Sequence, residues 1–374
     1  MSPNVQPRSL QLLRLNSLPG QERPTADGAG EVSRSATPAI AALALTTIPV
    51  GTLPFGVAVA ANGNAYVTNF GSNDVTVIDT ATDLVVVPSI PVGTSPFGVT
   101  VAANGNAYVT NYNSSNVTVI DTATNMVVGS PIAVGTNPSG VAVAANGNAY
   151  VTNVNSNDVT VIDTATDLVV VPSIPVGTHP FGVAIAPNGN AYVTNFVSND
   201  VTVINTGTNM VVGAPIPAGT NPLGVTIAAN GNAYVTNQGS NDVTVIDTAT
   251  NLVVVPSIPV GGSPSGVAVA ANGKAYVTNQ GSNDVTVIDT ATNLVVVPSI
   301  PVGTGPYGVA VAPNGKIYVV NIGSNDVSVL PPFPTLTGIS PAQGQVTGGT
   351  VVTITGTDLA GASVTFGGSP ATGV

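Results

Sequence analysis

The segment Ala65-Tyr66-Val67-Thr68-Asn69 decides the fold, because its pattern returns along the chain at a fixed interval. The interval is 42 residues each time, without insertions or deletions over seven copies. The repeated tyrosine stands at Tyr66, Tyr108, Tyr150, Tyr192, Tyr234, Tyr276 and Tyr318. A constant period of this length indicates one repeated supersecondary unit, whose copies bury a shared core by packing on their neighbours.

Each copy reads as four short β-strands. In the first copy the runs are 57–60, 65–69, 75–80 and 84–92, which are rich in Val, Ile, Thr and Tyr. Turn residues separate the runs, and Asn62-Gly63, a strong hairpin signal, has an equivalent in every copy. Runs this short exclude helices. Four antiparallel strands in about 40–45 residues correspond to one blade of a β-propeller.

Proline and a count of the strands predict how the ring closes. Pro88 and Pro91 interrupt the fourth run, and proline cannot donate to a strand ladder, so the fourth run is the outer edge and the first run lies innermost. First to third runs occur seven times, but only six fourth runs follow them. Residues 46–51 copy the end of a fourth run. We therefore predict an all-β, seven-bladed β-propeller whose N-terminal strand pairs with residues 327–330.

The chain divides into four segments. Residues 1–43 are rich in Pro, Gly and Ser and hold four of the six basic residues, which predicts a disordered arm. The propeller is predicted over 44–330, a proline-rich linker over 331–334 and an incomplete immunoglobulin-like domain over 335–374. The arm shows no clear secretory signal, because Arg14 breaks the apolar run 10–15. No run approaches the ~18 apolar residues of a membrane helix, so we predict no transmembrane segment.

The repeat resembles a known propeller family. Tyr-Val-Thr-Asn, with the following Ser-Asn-Asp-Val-Thr-Val-Ile-Asp and Ile-Pro-Val-Gly, is similar to the YVTN-family repeat of bacterial and archaeal surface proteins, over about residues 46–330. The last copy departs from it at Val320 and Leu330. After the linker, Pro341 and the segments 348–350, 352–356 and 364–368 resemble the opening half of an IPT/TIG domain. Because an immunoglobulin-like sandwich needs about seven strands, we expect the tail to be poorly ordered alone.

Composition excludes several classes of function. Six Lys and Arg stand against 17 Asp and Glu, a net charge of −11, which predicts no nucleic-acid partner. The absence of Cys from the sequence excludes disulfides, iron–sulfur clusters and thiol catalysis. A single histidine, His179, leaves no histidine pair for a metal or a proton relay. It lies in a loop, where a solvated role is commoner than a catalytic one.

Two rows of acidic residues are candidate metal ligands. Carboxylates repeated around a ring could hold Ca²⁺, which takes six to eight oxygen ligands. Asp also stabilises turns through bonds to nearby backbone, and no D-x-D-x-D-G pattern concentrates several ligands in one loop, so the turn role is favoured. We predict no cofactor and no metal, with Ca²⁺ as the alternative. The first row is Asp74, Asp158, Asp200, Asp242, Asp284 and Asp326, and the second is Asp79, Asp121, Asp163, Asp247 and Asp289.

The aromatic residues that differ between copies mark the candidate ligand site. They occupy two repeat positions, the loop between blades and the residue after the repeated Asn, which are predicted to share one rim of the ring. Exposed rings there would bind a sugar or a peptide by stacking, whereas buried rings would fill gaps between blades. The candidates, with the loop histidine, are Phe55, Phe70, Phe97, Tyr112, Tyr307, His179, Phe181 and Phe196.

Three functions remain open at this point. The first is a non-enzymatic, monomeric scaffold or binding module that recognises a protein or a carbohydrate at the rim. It would be extracellular or attached to the cell surface, with the cytoplasm as the alternative. The second is a metal-assisted hydrolase or lyase, as in the lactonases and streptogramin-lyase-like propellers. Those lyases use histidine chemistry with a metal, from which a chain with one histidine departs. The third is a structural, surface-layer-type element.

Overall fold

In the computed structural model, residues 45–334 are described with their side chains, and residues 10–14, 36–39, 335–340, 351–357, 363–366 and 369–370 as backbone strands. The chain forms two compact units. The larger unit is Leu45–Pro331, and the smaller one joins Met1–Ala44 to Pro332–Val374. The described part of the chain contains no helix with the length and apolar character needed to cross a membrane.

The larger unit consists of seven antiparallel sheets, each of which is one blade of a β-propeller. Blades 1 to 3 consist of Pro54–Val59, Asn64–Asn69, Asp74–Asp79 and Leu84–Pro91, then Pro96–Val101, Asn106–Asn111, Asn116–Asp121 and Met126–Ala133, then Pro138–Val143, Asn148–Asn153, Asp158–Asp163 and Leu168–Pro175. Blades 4 and 5 consist of Pro180–Ile185, Asn190–Asn195, Asp200–Asn205 and the divided outer strand Met210–Val211 and Ile216–Pro217, then Pro222–Ile227, Asn232–Asn237, Asp242–Asp247 and Leu252–Pro259. Blades 6 and 7 consist of Pro264–Val269, Lys274–Asn279, Asp284–Asp289 and Leu294–Pro301, then Pro306–Val311, Ile317–Asn321, Asp326–Leu330 and Thr46–Pro49.

The predicted closure of the ring is confirmed. The N-terminal strand Thr46–Pro49 pairs antiparallel with the third strand of blade 7, and Ile48 stands opposite Val327. The side chain of Ile48 is buried, with 4% of its surface exposed. It belongs to a core cluster with residues of blades 7 and 1, including Val67 and Val320. One strand from the beginning of the chain therefore completes the last blade.

The hydrophobic core lies between the blades. Tyr66, Val75 and Val77 of blade 1 pack against Val109 and Ile120 of blade 2, and the same arrangement recurs around the ring. Strands buried on both faces explain the continuous apolar runs of the sequence. Sheets that pack face to face in this way hold one another in place without any helix.

The first strands line the central axis, as predicted from the sequence. Each first strand has a glycine at its third position, such as Gly56 after Phe55, because the first strand of the next blade approaches that position closely. A Cβ at Gly56 would lie 2.5 Å from the Phe97 carbonyl oxygen, and one at Gly308 would lie 2.3 Å from the Phe55 carbonyl oxygen. The second contact joins blade 7 to blade 1. Fourth strands lie outermost, and Leu84 there is 63% exposed.

The smaller unit contains two sheets of three strands. In one, Leu10–Arg14 pairs with Val351–Thr357, which also pairs with Thr335–Ser340. In the other, Ala36–Ala39 pairs with Ser363–Phe366, which also pairs with Ser369–Pro370. The arm expected to be disordered thus contributes a strand to each sheet, because the tail offers each of these segments a partner strand. The rest of that expectation lies outside the described residues.

Candidate functional site

The candidate rim forms where two kinds of loop meet at one end of the propeller. Phe55, which the sequence placed in the loop between blades, is the second residue of the first strand Pro54–Val59, directly after the loop 51–53. The hairpin between the second and third strands carries Phe70. The Phe70 N–H donates a hydrogen bond of 2.9 Å to the Leu53 carbonyl, and the Gly71 N–H donates one of 2.9 Å to the Thr52 carbonyl. These bonds hold the two predicted aromatic positions beside each other in each blade.

A cavity of about 230 Å³ opens at this rim on the propeller axis. Every blade contributes three successive residues of its first strand, such as Phe55, Gly56 and Val57 in blade 1. Valine and glycine form the deeper wall, and the residue before glycine forms the mouth. From blade 1 to blade 7 the mouth residues are Phe55, Phe97, Ser139, Phe181, Leu223, Ser265 and Tyr307. The lining contains no Asp, Glu, His, Lys or Arg.

The aromatic candidates contact one another at the mouth. Phe55 lies 4.8 Å from Phe97, 4.9 Å from Tyr307 and 5.1 Å from Phe70, measured between ring centroids. Tilted and edge-on arrangements of this kind are the favourable geometries for aromatic pairs. All the rings keep a part of their surface exposed. We call this group the aromatic cluster, and it comprises Phe55, Phe70, Phe97, Tyr112, Phe181, Phe196 and Tyr307.

The mouth is uneven because two blades carry serine in place of a large side chain. The Ser139 hydroxyl lies 3.0 Å from the Thr152 hydroxyl and 3.1 Å from the Phe181 carbonyl, and the side chain is fully buried between blades. Ser265 is buried in the same way. Blades 3 and 6 therefore place no large side chain at the mouth. A single sequence gave no signal for this orientation.

Amide groups occupy the part of the rim that lacks aromatic rings. Gln238 of blade 5 and Gln280 of blade 6 stand at the repeat position of Phe70. Both are partly exposed, and their side-chain amides lie 3.4 Å apart. The rim therefore has an aromatic sector and a neutral, hydrogen-bonding sector. The sequence showed the substitution but not the contact.

Threonine hydroxyls fix the backbone of the mouth residues. The Thr68 hydroxyl donates to the Phe97 carbonyl of the next blade at 2.6 Å and accepts from the Gly56 N–H at 2.8 Å. Equivalent carbonyl bonds are made by Thr110, Thr152, Thr194, Thr236 and Thr278. Val320, at this position in blade 7, has no hydroxyl to make the bond to Phe55.

Tyr307 is the titratable side chain of the cavity lining. Burial among the neighbouring rings raises its pKa above the usual value, and the nearby Tyr112 adds to the shift. The phenol is therefore neutral at physiological pH, and its hydroxyl stays a hydrogen-bond donor. No general base accompanies it in the cavity lining, and the hydroxyls of Ser139 and Ser265 are bonded to carbonyls of the next blade.

The first row of aspartates is engaged within its own blades. Asp74 accepts hydrogen bonds from the Asn69 amide at 2.7 Å, the Ser72 hydroxyl at 2.9 Å and the Ser89 hydroxyl at 2.8 Å. Asp158, Asp242 and Asp284 repeat this pattern. Over the described residues, no three or more His, Asp or Glu side chains come together as a possible metal site. The row fits the stabilising role that the sequence favoured.

The second row of aspartates and His179 also have local roles. Asp121 accepts from the Ala123 N–H at 2.8 Å, which lowers the pKa of its carboxyl and stabilises the turn that follows. His179 has a positive φ of 54° in the loop between blades 3 and 4, and its N–H donates to the Asn157 side chain at 2.8 Å. Its carbonyl accepts from the Phe196 N–H at 2.9 Å. The backbone of His179 thus shapes the rim.

Comparison with known proteins places this architecture in a family. Residues 43–330 match the Virginiamycin B lyase family, and residues 334–374 match the IPT/TIG domain. No curated protein sequence matches the chain. Hydrazine synthase from Kuenenia stuttgartiensis is similar in structure, with a TM-score of 0.66 at 24% identity over 75% of this chain and 97% of that chain.

Two structures of virginiamycin B lyase from Staphylococcus aureus are similar as well. The selenomethionine-substituted enzyme has a TM-score of 0.67 at 16% identity, over 77% of this chain and 99% of that chain. A catalytically inactive histidine-to-alanine variant with quinupristin has a TM-score of 0.68 at 16% identity, with the same coverage. At these identities the structural similarity shows a common fold. Since the family model covers the whole ring, the chain belongs to the Virginiamycin B lyase family.

Proposed function

We propose that the propeller is a non-catalytic binding module, which takes one group of a protein or carbohydrate ligand into the axial cavity. The observation that carries this proposal is the lining. Four aromatic rings and a wall of valine and glycine surround a cavity open at the rim. Such surfaces bind ligands by burial and stacking. The volume of about 230 Å³ suits one side group of a ligand, with the remainder held on the rim.

The chemistry of the lining supports binding over catalysis. Tyr307, with its raised pKa, has no partner in the cavity lining that could exchange a proton with it at physiological pH. His179 stands in a loop outside the lining. We extend the proposal to a surface-attached or secreted location, which the YVTN-type resemblance implies. The assignment to that repeat type also remains a prediction.

Screening tests the binding proposal directly. The full chain is screened against peptide and glycan arrays, and each ligand found is titrated against the wild type, Phe97→Ala and Leu168→Ala. Leu168 is a matched control because it is an apolar residue on an outer strand, 65% exposed and distant in the blade from the axis. We expect Phe97→Ala to weaken binding at least tenfold and Leu168→Ala to leave it unchanged. Equal affinities for the wild type and Phe97→Ala would reject the cavity as the site.

A lyase is the second candidate, because the family match favours it. The resemblance implies a histidine and a metal. The described residues of this chain offer one histidine and no group of three metal-binding side chains, so they do not fit such a centre. We therefore derive no step through a metal. Incubation with quinupristin, followed by chromatography, tests this candidate. A conversion of quinupristin that depends on His179 would establish the lyase and reject the non-catalytic proposal.

A further inference from the structure

We infer that the group that enters the axial cavity is a quaternary ammonium, that is, a cation whose nitrogen carries only carbon substituents. This inference rests on the proposed binding function and names the chemistry of its ligand. Three observations support it: the aromatic lining of the mouth, the distribution of charge over the propeller, and the hydrogen bonds already made by the carbonyls around the axis.

The aromatic lining supplies the attraction. Phe55, Phe97, Phe181 and Tyr307 all line the cavity. The face of an aromatic ring carries negative electrostatic potential, which attracts a cation within about 6 Å of the ring centroid. The rings are partly buried, so a cation that contacts them is partly desolvated. The attraction between a cation and a ring is stronger for a desolvated cation. Tyr307 adds a fourth ring to this part of the lining.

The charge of the propeller favours a cation at this rim. Its two basic residues, Lys274 and Lys316, follow the hairpin between first and second strands, at the blade end opposite to the rim. There they pair with Asp289 at 2.6 Å and with Asp83 at 2.7 Å. The rim end carries the six aspartates of the first row and no Lys or Arg among residues 45–331, and its one histidine is His179. The resulting negative potential attracts cationic ligands and repels anions.

The hydrogen bonds of the axis discriminate between kinds of cation. A lysine ammonium has three N–H donors and an arginine guanidinium has five, and all of them need acceptors when they are buried. Six of the seven mouth carbonyls already accept a threonine hydroxyl, as Phe97 does from Thr68. A quaternary ammonium has no N–H, so it leaves no buried donor without an acceptor in such a cavity. Its methyl groups also match the apolar wall of valine and glycine.

Calorimetric titration of the full chain with choline and with its neutral carbon isostere tests the inference. In the isostere a tert-butyl group replaces trimethylammonium, so shape and apolar area are preserved and only the charge is lost. We expect choline to bind about tenfold more tightly or better. Equal affinities would show an apolar site and reject the cation, while leaving the proposed binding function intact. A lack of choline binding would also reject it.

Two variants and one competitor complete the test. Phe97→Leu keeps an apolar side chain but removes the ring face, so we expect it to lose the preference for choline over the isostere. Tyr307→Phe keeps the ring, so we expect its preference for choline to remain within about threefold of that of the wild type. A preference unchanged by Phe97→Leu would overturn the inference. A lysine-rich peptide that binds more tightly than choline and displaces it would overturn the choice of a quaternary ammonium.

Discussion

The hydroxyl of Thr68 and the carbonyl of Phe97 are joined by a hydrogen bond of 2.6 Å that crosses from blade 1 to blade 2. The same hydroxyl accepts from the Gly56 N–H, so one side chain holds the first strands of two adjacent blades. The threonine of the repeated motif therefore has a positional role, since it fixes where the rings of the aromatic cluster stand. Repetition of this bond around the axis makes the mouth rigid, which favours binding by a preformed site.

Removal of one such threonine is expected to destabilise the propeller. In Thr194→Val the shape is kept, but the Leu223 carbonyl and the Gly182 N–H lose their partner. Buried polar groups left unpaired cost about 1–3 kcal/mol, so the thermal midpoint should fall by several degrees. Thr94→Val, at an exposed loop position, is the control and should stay within about 0.5 kcal/mol. Similar midpoints for the two variants would show that these bonds carry little stability.

The closing strand provides a second prediction. Ile48→Ala removes a buried side chain from the core shared by blades 7 and 1, which should cost about 2–5 kcal/mol in the free energy of unfolding. Thr47, next to it, is exposed and supplies the control Thr47→Ala. Equilibrium denaturation measures both. If Ile48→Ala costs no more than Thr47→Ala, the N-terminal strand does not close the ring in solution.

Alkaline pH is expected to unfold the propeller through its buried tyrosines. Burial and the hydrogen bond to Asp167 raise the pKa of Tyr108 from 10.0 to about 12. Because the folded-state pKa lies above the unfolded value, neutral Tyr108 contributes fully to the free energy of unfolding below pH 10. This contribution is lost as the pH rises towards 12. Burial also raises the pKa of Tyr66, Tyr150, Tyr192 and Tyr234. The thermal midpoint of the wild type should fall across this pH range, and that of Tyr108→Phe should fall less steeply. Parallel curves of midpoint against pH for the two proteins would contradict a raised pKa of Tyr108.

The aspartate rows predict indifference to calcium. Because Asp74 and its equivalents already accept two or three hydrogen bonds within separate blades, added Ca²⁺ gains no preformed site. A ligand that binds only the folded state would raise the thermal midpoint in proportion to the logarithm of its concentration. We expect the same midpoint in millimolar CaCl₂ and in a chelator. A midpoint that rises with the calcium concentration would show a site that the described residues do not reveal.

Much of the fold was predictable because the same turn chemistry recurs in every repeat. Asn62-Gly63 and its equivalents fix each hairpin, so strand bounds and blade number follow from local sequence. The arm was different. Leu10–Arg14 pairs with a strand that begins at Val351. The sequence of the arm alone does not indicate that its partner strand lies so far along the chain. Long-range strand pairing of this kind depends on context more than on local propensity.

The candidate site was predictable in position but not in form. The repeat register places Phe55 and Phe70 on one rim, and the structure brings their rings within 5.1 Å. The axial cavity below them depends on the close approach of backbones at Gly56 and its equivalents. The buried orientation of Ser139 depends on a carbonyl of the next blade. Both are contacts between blades, which a single sequence does not encode in any local pattern.

A crystallographic fragment screen of the full chain tests the central claim most directly. The fragments should include small aromatic compounds, monosaccharides and quaternary ammonium ions, soaked at equal concentrations. The account predicts that bound fragments concentrate in the axial cavity, in contact with Phe97 and Tyr307, and that the ammonium ions have the highest occupancy there. Fragments bound elsewhere on the propeller, with an empty axial cavity in every data set, would contradict the account.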